Sequence, residues 1–311
     1  MGFNIKTKEE IEIMAEAGRR LGEILAKLGE EVRLGTRTDA LDRKSFQLIR
    51  EAGCEPAFLN YRPVGAKRPY PATLCVSIND VVVHGVPSKR VIEDGDIVSL
   101  DLGLKYKGLY VDAALTVGVG DIDSKNEDTA PQAVRYRNSS VANPPSLPTP
   151  PKQLQLRRPE KLRKGSPHSV FSPQAARYWA EEKKKLIVAA RNALEAGIKQ
   201  AVPGKTLGDI GFTIEKFVKA ERFSIVEGLT GHGIGRELHE EPVVQNFGKP
   251  GKGERLKAGM VIAIEPMISM GGGKIKQLED ESFATADGSL SAHFEHTVAI
   301  TENGPRVLTR V

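Results

Sequence analysis

The stretch VSLDLGLKYKGLYVDAALTVGV, residues 98–119, contains two apolar runs with strand character on either side of a short polar turn. Each run carries one carboxylate, Asp101 in the first and Asp112 in the second. If the turn is centred between Tyr106 and Lys107, an antiparallel hairpin places these carboxylates directly opposite each other, with Cβ atoms about 4.5–5.5 Å apart. Such a pair repels unless it shares a proton, contacts a basic group or binds a metal ion. The stretch therefore predicts an antiparallel sheet with either a cation site or an exposed edge on which both acids are solvated.

Three further side chains with metal-binding chemistry lie in the second half of the chain. His232 stands among the glycines of GLTGHGIG, which allow a ligand to approach the backbone closely. Glu265 ends the apolar run GMVIAIEP, and Glu295 lies inside the run SAHFEHTVAIT. With the two aspartates they make four carboxylates and one imidazole, an oxygen-rich set that suits Mn, Fe(II), Co or Zn. Since carboxylates of this kind bridge metal pairs about 3.5–4 Å apart in hydrolases, the set favours two ions over one.

The same residues and their neighbours also have simpler interpretations. Glu265 precedes a proline and would suit a plain strand end, and His239 in ELHEEP would suit an exposed surface. His296 points away from Glu295 by the two-residue period of a strand, so we interpret it as structural. His293 shares the face of Glu295, but its place at a loop exit predicts a solvated side chain.

The bulk composition excludes several other classes of protein. The 311 residues contain no apolar run of membrane-spanning length, and the N-terminal MGFNIKTKEE has no apolar core of a secretion signal. Two cysteines, Cys54 and Cys75, cannot make a disulfide framework or a zinc finger. No dinucleotide, Walker or nucleophile-elbow motif is present. We therefore expect a cytoplasmic protein without a membrane segment and without specific DNA binding.

One segment differs in composition from the rest of the chain. Residues 131–177 hold nine of the 19 prolines and carry a charge of +8, so the net charge of +5 leaves −3 for the remainder. Such a segment buries too little surface to offset its ordering entropy. We predict a single catalytic domain over 1–311, with a Pro-rich basic insertion at 121–171 that is largely disordered. The insertion is either a solvated spacer or a contact to ribosomal RNA through phosphate binding.

Helix signals occur in both halves of the chain. Thr7 and Glu10 fit a capping box at the start of the first helix. The remaining predicted helices run from Thr38 to near Gly53, from Ser172-Pro173 to about 200, and from Thr206 to about 221. Strand-like runs follow each helix pair, which indicates an internal two-fold repeat.

With these motifs in place, the chain resembles the type I methionine aminopeptidases. The matching motifs are SINDVVVHG with His84, DIVSLDLG with Asp101, YVDAALT with Asp112, GLTGHGIG with His232, LHEEP with His239, GMVIAIEPM with Glu265 and SAHFEHTV with Glu295. The match covers nearly the whole chain outside about 121–171. It implies an α/β (α+β) pita-bread fold of the creatinase and aminopeptidase type, in which a pseudo-two-fold antiparallel sheet is covered by helices.

The resemblance also implies the reaction and the roles of individual residues. It implies removal of the initiator methionine from nascent polypeptides with small second residues, using two divalent ions (Co, Mn, Fe or Zn). The implied metal ligands are Asp101, Asp112, His232, Glu265 and Glu295; the implied catalytic residues are Glu265, His239 and His84; and the implied substrate contacts are His84, His239, Phe58, Tyr61, Tyr70 and Cys75. Glu265 would accept and later donate a proton, while His239 would stabilise the oxyanion and His84 would hold the scissile amide.

Two departures and two alternatives qualify this expectation. The loop LEDESFATADGS lacks the Trp usual in the family, so Phe283 is expected to cover the site or the wall is more open, and RPVGAKR lengthens the loop between Tyr61 and Tyr70. The first alternative is an Xaa-Pro aminopeptidase on the same scaffold. The second is a non-catalytic ribosome- or RNA-binding protein with this fold. The sequence shows no obvious exposed apolar stripe, which favours a monomer.

Overall fold

A computed structural model describes residues 4–63, 65–122 and 173–310. The predicted insertion at 121–171 lies outside these residues, apart from Asp121 and Ile122, which belong to a short 3₁₀ helix, Gly120–Ile122. Within the described ranges, no helix has both the length and the apolar character needed to cross a membrane.

The described residues form four α-helices and fifteen strands. The helices are α1 (Lys8–Glu31), α2 (Thr38–Glu51), α3 (Pro173–Ile198) and α4 (Leu207–Ala220). The strands are β1 (Glu55–Pro56), β2 (Cys75–Ile78), β3 (Val81–Val83), β4 (Ile97–Tyr106), β5 (Leu109–Gly118), β6 (Ser224–Ile225), β7 (Gly231–Gly233), β8 (Glu240–Val244), β9 (Val261–Ile264), β10 (Met267–Ser269), β11 (Ile275–Gln277), β12 (Phe283–Thr285), β13 (Ser291–His293), β14 (Glu295–Thr301) and β15 (Gly304–Val307).

The helices begin where the capping residues predict. In α1, the Glu10 backbone N–H donates to Thr7 Oγ1 at 3.2 Å, and the Thr7 N–H donates to Glu10 Oε2 at 2.8 Å. In α4, Asp209 Oδ2 accepts from the Thr206 backbone N–H at 2.8 Å and so pairs a backbone N–H at the start of the helix. The four predicted helices are confirmed within about two residues at their described ends, whereas Ser172 lies outside the described residues.

The main sheet is antiparallel and has the strand order β1-β4-β5-β14-β9-β7-β8, with β2 paired to β4 and β15 paired to β14. One apolar core joins α1 and α2 to β4 and β5. A second core joins α3 and α4 to β9 and β14. Because each half supplies two helices and two central strands, the sheet has the predicted pseudo-two-fold arrangement, with β5 and β14 at its centre.

Matching backbone contacts relate the two halves. At the start of α2, Arg37 forms an isolated antiparallel bridge with Val91 in the loop before β4. At the start of α4, Thr206 forms the corresponding bridge with Arg255 in the loop before β9. The segments that lead into α2 and α4 therefore make corresponding contacts in the two halves.

The β4–β5 hairpin forms, but its predicted turn was wrong by one residue. Tyr106 pairs with Leu109, so the turn residues are Lys107 and Gly108. Both have positive φ angles, 48° and 84°. A two-residue turn of this kind matches the right-handed twist of the strands, and the glycine adopts it without a steric penalty.

This register also corrects the predicted relation between the two aspartates. Asp101 lies opposite Ala114, and Asp112 lies opposite Gly103, so the carboxylates are diagonal neighbours and not a direct pair. The register has moved by two residues, and a two-residue shift keeps every side chain on its face. The expectation that both carboxylates share one face is therefore confirmed.

Candidate metal centre

One row of side chains crosses the sheet on the face that holds the acids. Asp101 of β4 pairs with Cys75 of β2 on one side and with Ala114 of β5 on the other. Ala114 in turn pairs with Glu295 of β14. Directly paired residues project from the same face of an antiparallel sheet, and Asp112 lies on that face two positions from Ala114. The small side chain of Ala114 leaves space between the carboxylates on either side of it.

Glu265 extends this row from the break between β9 and β10. The ladder of β9 with β14 and the ladder of β10 with β13 keep one common register, which sets Glu265 opposite Glu295. Pro266 has no backbone N–H to donate, and the ladder is interrupted there. The four predicted carboxylates therefore converge at the middle of the sheet.

Two imidazole rings flank the Glu265 carboxylate. His232 Nε2 lies 3.6 Å from Oε1, and His293 Nε2 lies 3.5 Å from Oε2. The candidate ligand atoms form two groups, Asp112–His232–Glu295 and Glu265–His293–Glu295, and the atoms of each group lie within 4.8 Å of one another. Glu295 belongs to both groups, so its carboxylate is placed to bridge two sites.

Several of these polar atoms lack a hydrogen-bond partner in the described part of the chain. Asp101 Oδ1, Asp112 Oδ1 and Glu295 Oε1 are all buried in this way. An unpaired buried acceptor costs about 1–3 kcal/mol, and a charged one costs more. Divalent cations would take up these lone pairs, and the donor set has the oxygen-rich chemistry that such cations prefer. The residues present therefore fit a divalent metal centre.

The surroundings of the acids raise their pKa values. Burial raises the pKa of Asp101 well above its ordinary value, and the nearby charges of Asp112 and Glu265 raise it further. Burial raises the pKa of Asp112 to about 7. Burial, followed by repulsion from Asp112, also raises the pKa of Glu265 and of Glu295. A cation would reverse this penalty, because it favours the charged form of every carboxylate around it.

We expect ionisation of the buried acids to destabilise the metal-free protein as pH rises from about 6.5 to 8. The folded protein retains protons on carboxylates that the unfolded chain has released above about pH 4, so ionising them lowers the free energy of unfolding. For Asp112 alone, with a folded pKa of about 7, the loss over this range is about 1 kcal/mol. The buried histidines act in the opposite direction, because burial lowers the pKa of His232 and of His296 to about 4 while the unfolded chain still releases their protons near pH 6.5. Their contribution cancels when the parent protein is compared with a variant of Asp112.

Urea unfolding of chelator-treated protein at the two pH values measures this loss. Between the two pH values, Asp112→Asn is expected to gain about 1 kcal/mol of stability relative to the parent protein, because it lacks the group that titrates in this range. The same pH dependence in the variant and in the parent protein would contradict the description of the acid cluster.

His239 and His84, the two auxiliary histidines that are predicted to contact the substrate without binding metal, lie at the open side of the acid cluster. The His239 ring stands 4.4 Å from the His232 ring, edge to face, and its Nδ1 shares a 2.7 Å hydrogen bond with the Tyr61 hydroxyl. His84 has a φ of 59°, and its ring lies 5.9 Å from that of Phe283. Both histidines are exposed, so a bound molecule can reach them.

The remaining predicted substrate contacts lie beside Asp101. The Phe58 ring packs edge to face with Tyr70 at 6.5 Å, and the Tyr70 hydroxyl shares its proton between two backbone carbonyls at 3.0 and 3.1 Å. Cys75 is the direct strand partner of Asp101. A Cβ at Gly103 would lie 2.7 Å from the Phe58 ring, so the glycine makes room for it. Aromatic and thiol groups thus border the acid cluster.

The expectation that His293 is solvated was wrong. Its residue exposure is only 1%, because β13 carries it between β10 and the centre of the sheet. The sequence did contain the signal, since His293 precedes Glu295 by two residues and shares its face. The apparent loop exit is a single-residue break at Phe294 between two short strands, which the spacing alone does not reveal.

Comparison with known proteins points to one family. The family model described as metallopeptidase family M24 matches residues 12–138 and 170–302. A methionine aminopeptidase of Clostridium perfringens is 38% identical over 99% of this chain and 98% of its own length.

Solved structures agree with this match. The crystal structure of the Thermotoga maritima methionine aminopeptidase is 33% identical, covers all of both chains and superposes with a TM-score of 0.77. The prolidase of Pyrococcus furiosus superposes with a TM-score of 0.62 at 23% identity, over 99% of this chain and 65% of its own. The second similarity concerns the fold alone, which both structures share.

Proposed function

The chain belongs to metallopeptidase family M24, and from that premise we propose that it removes the N-terminal methionine from nascent polypeptides with small second residues. It is a metallo-aminopeptidase with the pita-bread fold. The observation that carries the proposal is the convergence of Asp112, His232, Glu265 and Glu295, together with Asp101, on one buried face of the sheet. Relatives named methionine aminopeptidases match over their full length, whereas the prolidase matches over 65% of its own.

We propose that the centre holds two divalent ions, with Asp101, Asp112, His232, Glu265 and Glu295 as ligands. Two overlapping ligand groups that share Glu295 support two ions better than one. Carboxylate ligands admit Co, Mn, Fe or Zn. Two bound ions supply Lewis acidity, which acidifies water and polarises a peptide carbonyl.

The chain's own residues have separate roles in this proposal. Glu265 would accept the proton of the attacking water and later give it to the leaving nitrogen, because its carboxylate lies in the middle of the donor set, between His232 and His293. His239 is oriented by Tyr61 and donates to the developing oxyanion. His84 would hold the scissile amide. Burial lowers the pKa of His232 to about 4, so its imidazole stays neutral as a ligand requires.

We propose that Phe58, Tyr61, Tyr70 and Cys75 contact the methionine side chain. A thioether packs favourably against aromatic rings. The edge-to-face contact of Phe58 with Tyr70 supports this role, because it presents an apolar surface next to Asp101. Phe283, packed on His84, supplies a further aromatic surface beside that histidine.

A peptide panel tests the reaction. We expect the protein loaded with Mn or Co to release methionine from Met-Ala-Ser and to leave Ala-Pro-Ser and N-acetyl-Met-Ala-Ser intact, because the free amine and the methionine pocket are both needed. The chelated protein is the control. Cleavage of Ala-Pro-Ser without cleavage of Met-Ala-Ser would favour the Xaa-Pro aminopeptidase. No cleavage by fully metal-loaded protein would favour a non-catalytic binding protein.

We propose a cytoplasmic location and a monomeric state, which fit the nascent-chain substrate. Contact with the ribosome through the basic segment 121–171 stays a prediction from its charge.

A further inference from the structure

We propose that His293 is a direct metal ligand, a sixth protein side chain that binds an ion together with Glu265 and Glu295. The inference rests on the metal centre proposed above. The family resemblance assigns five ligands and two auxiliary histidines, and His293 is none of these. It therefore changes the donor set from one imidazole to two.

The backbone of His293 is fixed by its surroundings. It pairs with Met267 in the ladder of β13 with β10. Its N–H donates to Thr116 Oγ1 at 3.0 Å, and Thr116 Oγ1 donates back to the His293 carbonyl at 2.7 Å. Thr116 also contacts Ser99 Oγ at 2.8 Å within the β4–β5 hairpin. The ring therefore projects from a rigid part of the sheet toward the acids.

The imidazole of His293 has no hydrogen bond to explain its burial. Its side chain is only 2% exposed, and both ring nitrogens are buried without a partner in the described part of the chain. His296, one strand position beyond Glu295, shows the usual situation, because its Nδ1 is bonded to Thr309 Oγ1 at 2.9 Å. A buried ring with two unpaired nitrogens needs another partner.

The spacing of the candidate ligands fits a shared ion. His293 Nε2 and Glu265 Oε2 are 3.5 Å apart, which is long for a hydrogen bond. Two ligands that each lie about 2.0–2.2 Å from one ion are about 2.8–3.1 Å apart at octahedral angles and about 3.3–3.6 Å apart at tetrahedral angles. The proposed ligand pair His232 and Glu265 has nearly the same separation, 3.6 Å. Glu295 offers an oxygen within 4.8 Å of both His293 and Glu265.

A second imidazole would alter which metal the protein prefers. Imidazole favours Zn, Co, Ni and Fe, whereas carboxylate and water favour Mn and Mg. We therefore expect His293→Gln to weaken binding of Co at this site by about 10-fold or more, and binding of Mn by less. Glutamine has a similar size and polarity but offers no imidazole nitrogen. His296→Gln is the matched control, because His296 lies on the opposite face and its loss leaves the donor set intact.

X-ray absorption of the Co-loaded parent protein tests the inference without any variant. Two imidazoles for two ions, an average of about one per ion, are expected, and the average should fall to about one half in His293→Gln. Equilibrium dialysis with Co and with Mn measures the change in affinity, and circular dichroism checks that the variant folds.

The outcomes separate this inference from the proposed function. One imidazole per two ions in the parent protein, with Met-Ala-Ser still cleaved, would overturn the role of His293 and leave the aminopeptidase standing. Equal Co affinity in His293→Gln and the parent protein would overturn it as well. A parent protein that binds no Co at all would overturn both.

Discussion

Replacement of Glu265 by Gln is expected to lower kcat for Met-Ala-Ser by about 10³-fold or more, within the range expected for loss of a general base. Gln keeps the length of the side chain and one ligand oxygen, but it cannot accept a proton from water. The carboxylate is held between His232 and His293 at 3.6 and 3.5 Å, while its backbone carbonyl accepts from Asn246 at 3.0 Å. Replacing the charged carboxylate by a neutral amide is therefore expected to affect proton transfer more than the position of the side chain.

Metal content must be measured on the same samples. A Glu265→Gln protein that keeps its ions and loses its rate would show the proton-transfer role, whereas loss of ions would show the ligand role. Glu254→Gln is the control, since Glu254 is exposed in the loop before β9 and should leave kcat unchanged. Activity of Glu265→Gln within threefold of the parent protein would contradict both roles.

Replacement of Glu295 by Gln is expected to abolish tight binding of both ions, and with it hydrolysis. Glu295 is the one residue common to both ligand groups, and its residue exposure is 2%. Loss of a shared ligand weakens two sites at once, so we expect metal affinity to fall by about 10²-fold or more. This loss exceeds the one expected when a residue that only orients a ligand is replaced. Equilibrium dialysis measures the number of ions retained. Glu302→Gln, at the exposed turn after β14, is the control.

The same substitution should have the opposite effect on the metal-free protein. Burial, followed by repulsion among the acids, raises the pKa of Glu295, so its ionised form destabilises the fold at pH 8. Metal-free Glu295→Gln is therefore expected to melt at a higher temperature than the metal-free parent protein, while metal raises only the parent's melting temperature. A variant that melts lower in both states would indicate that Glu295 is a packing residue instead. In that case, repulsion among the acids would not destabilise the metal-free fold, and metal binding would not relieve such a repulsion.

The predicted elements show where sequence patterns suffice. The apolar runs around Asp101 and Asp112 identified two adjacent strands because their alternation is a property of the strands alone. The capping residues Thr7 and Thr206 marked helix starts for the same reason, since the cap hydrogen bonds are local.

The errors arose where the outcome depends on distant residues. The turn at Lys107 and Gly108 differs from the predicted one because both residues adopt positive φ angles, and the pattern of apolar residues reads the same in either register. His293 was misjudged because its burial depends on β10 and on Thr116, which lie far from it in the chain. A local pattern predicts the face of a residue, but it does not predict what covers that face.

The convergence of the candidate ligands follows from topology that the sequence only suggested. Asp101 and Asp112 come from one hairpin, whereas Glu265 and Glu295 come from strands more than 150 residues later. They meet because β5 pairs with β14 at the pseudo-two-fold centre, with Glu295 opposite Ala114. The resemblance to the methionine aminopeptidases predicted this arrangement, whereas no spacing along the chain specifies the pairing of β5 with β14.

Anomalous diffraction from crystals of the Mn-loaded protein tests the account most directly. We expect two peaks about 3.5–4 Å apart, enclosed by Asp101, Asp112, His232, Glu265 and Glu295, with His293 bound to the ion that Glu265 holds. A single peak, or peaks remote from Glu265 and Glu295, would contradict the dinuclear centre and the aminopeptidase mechanism built on it.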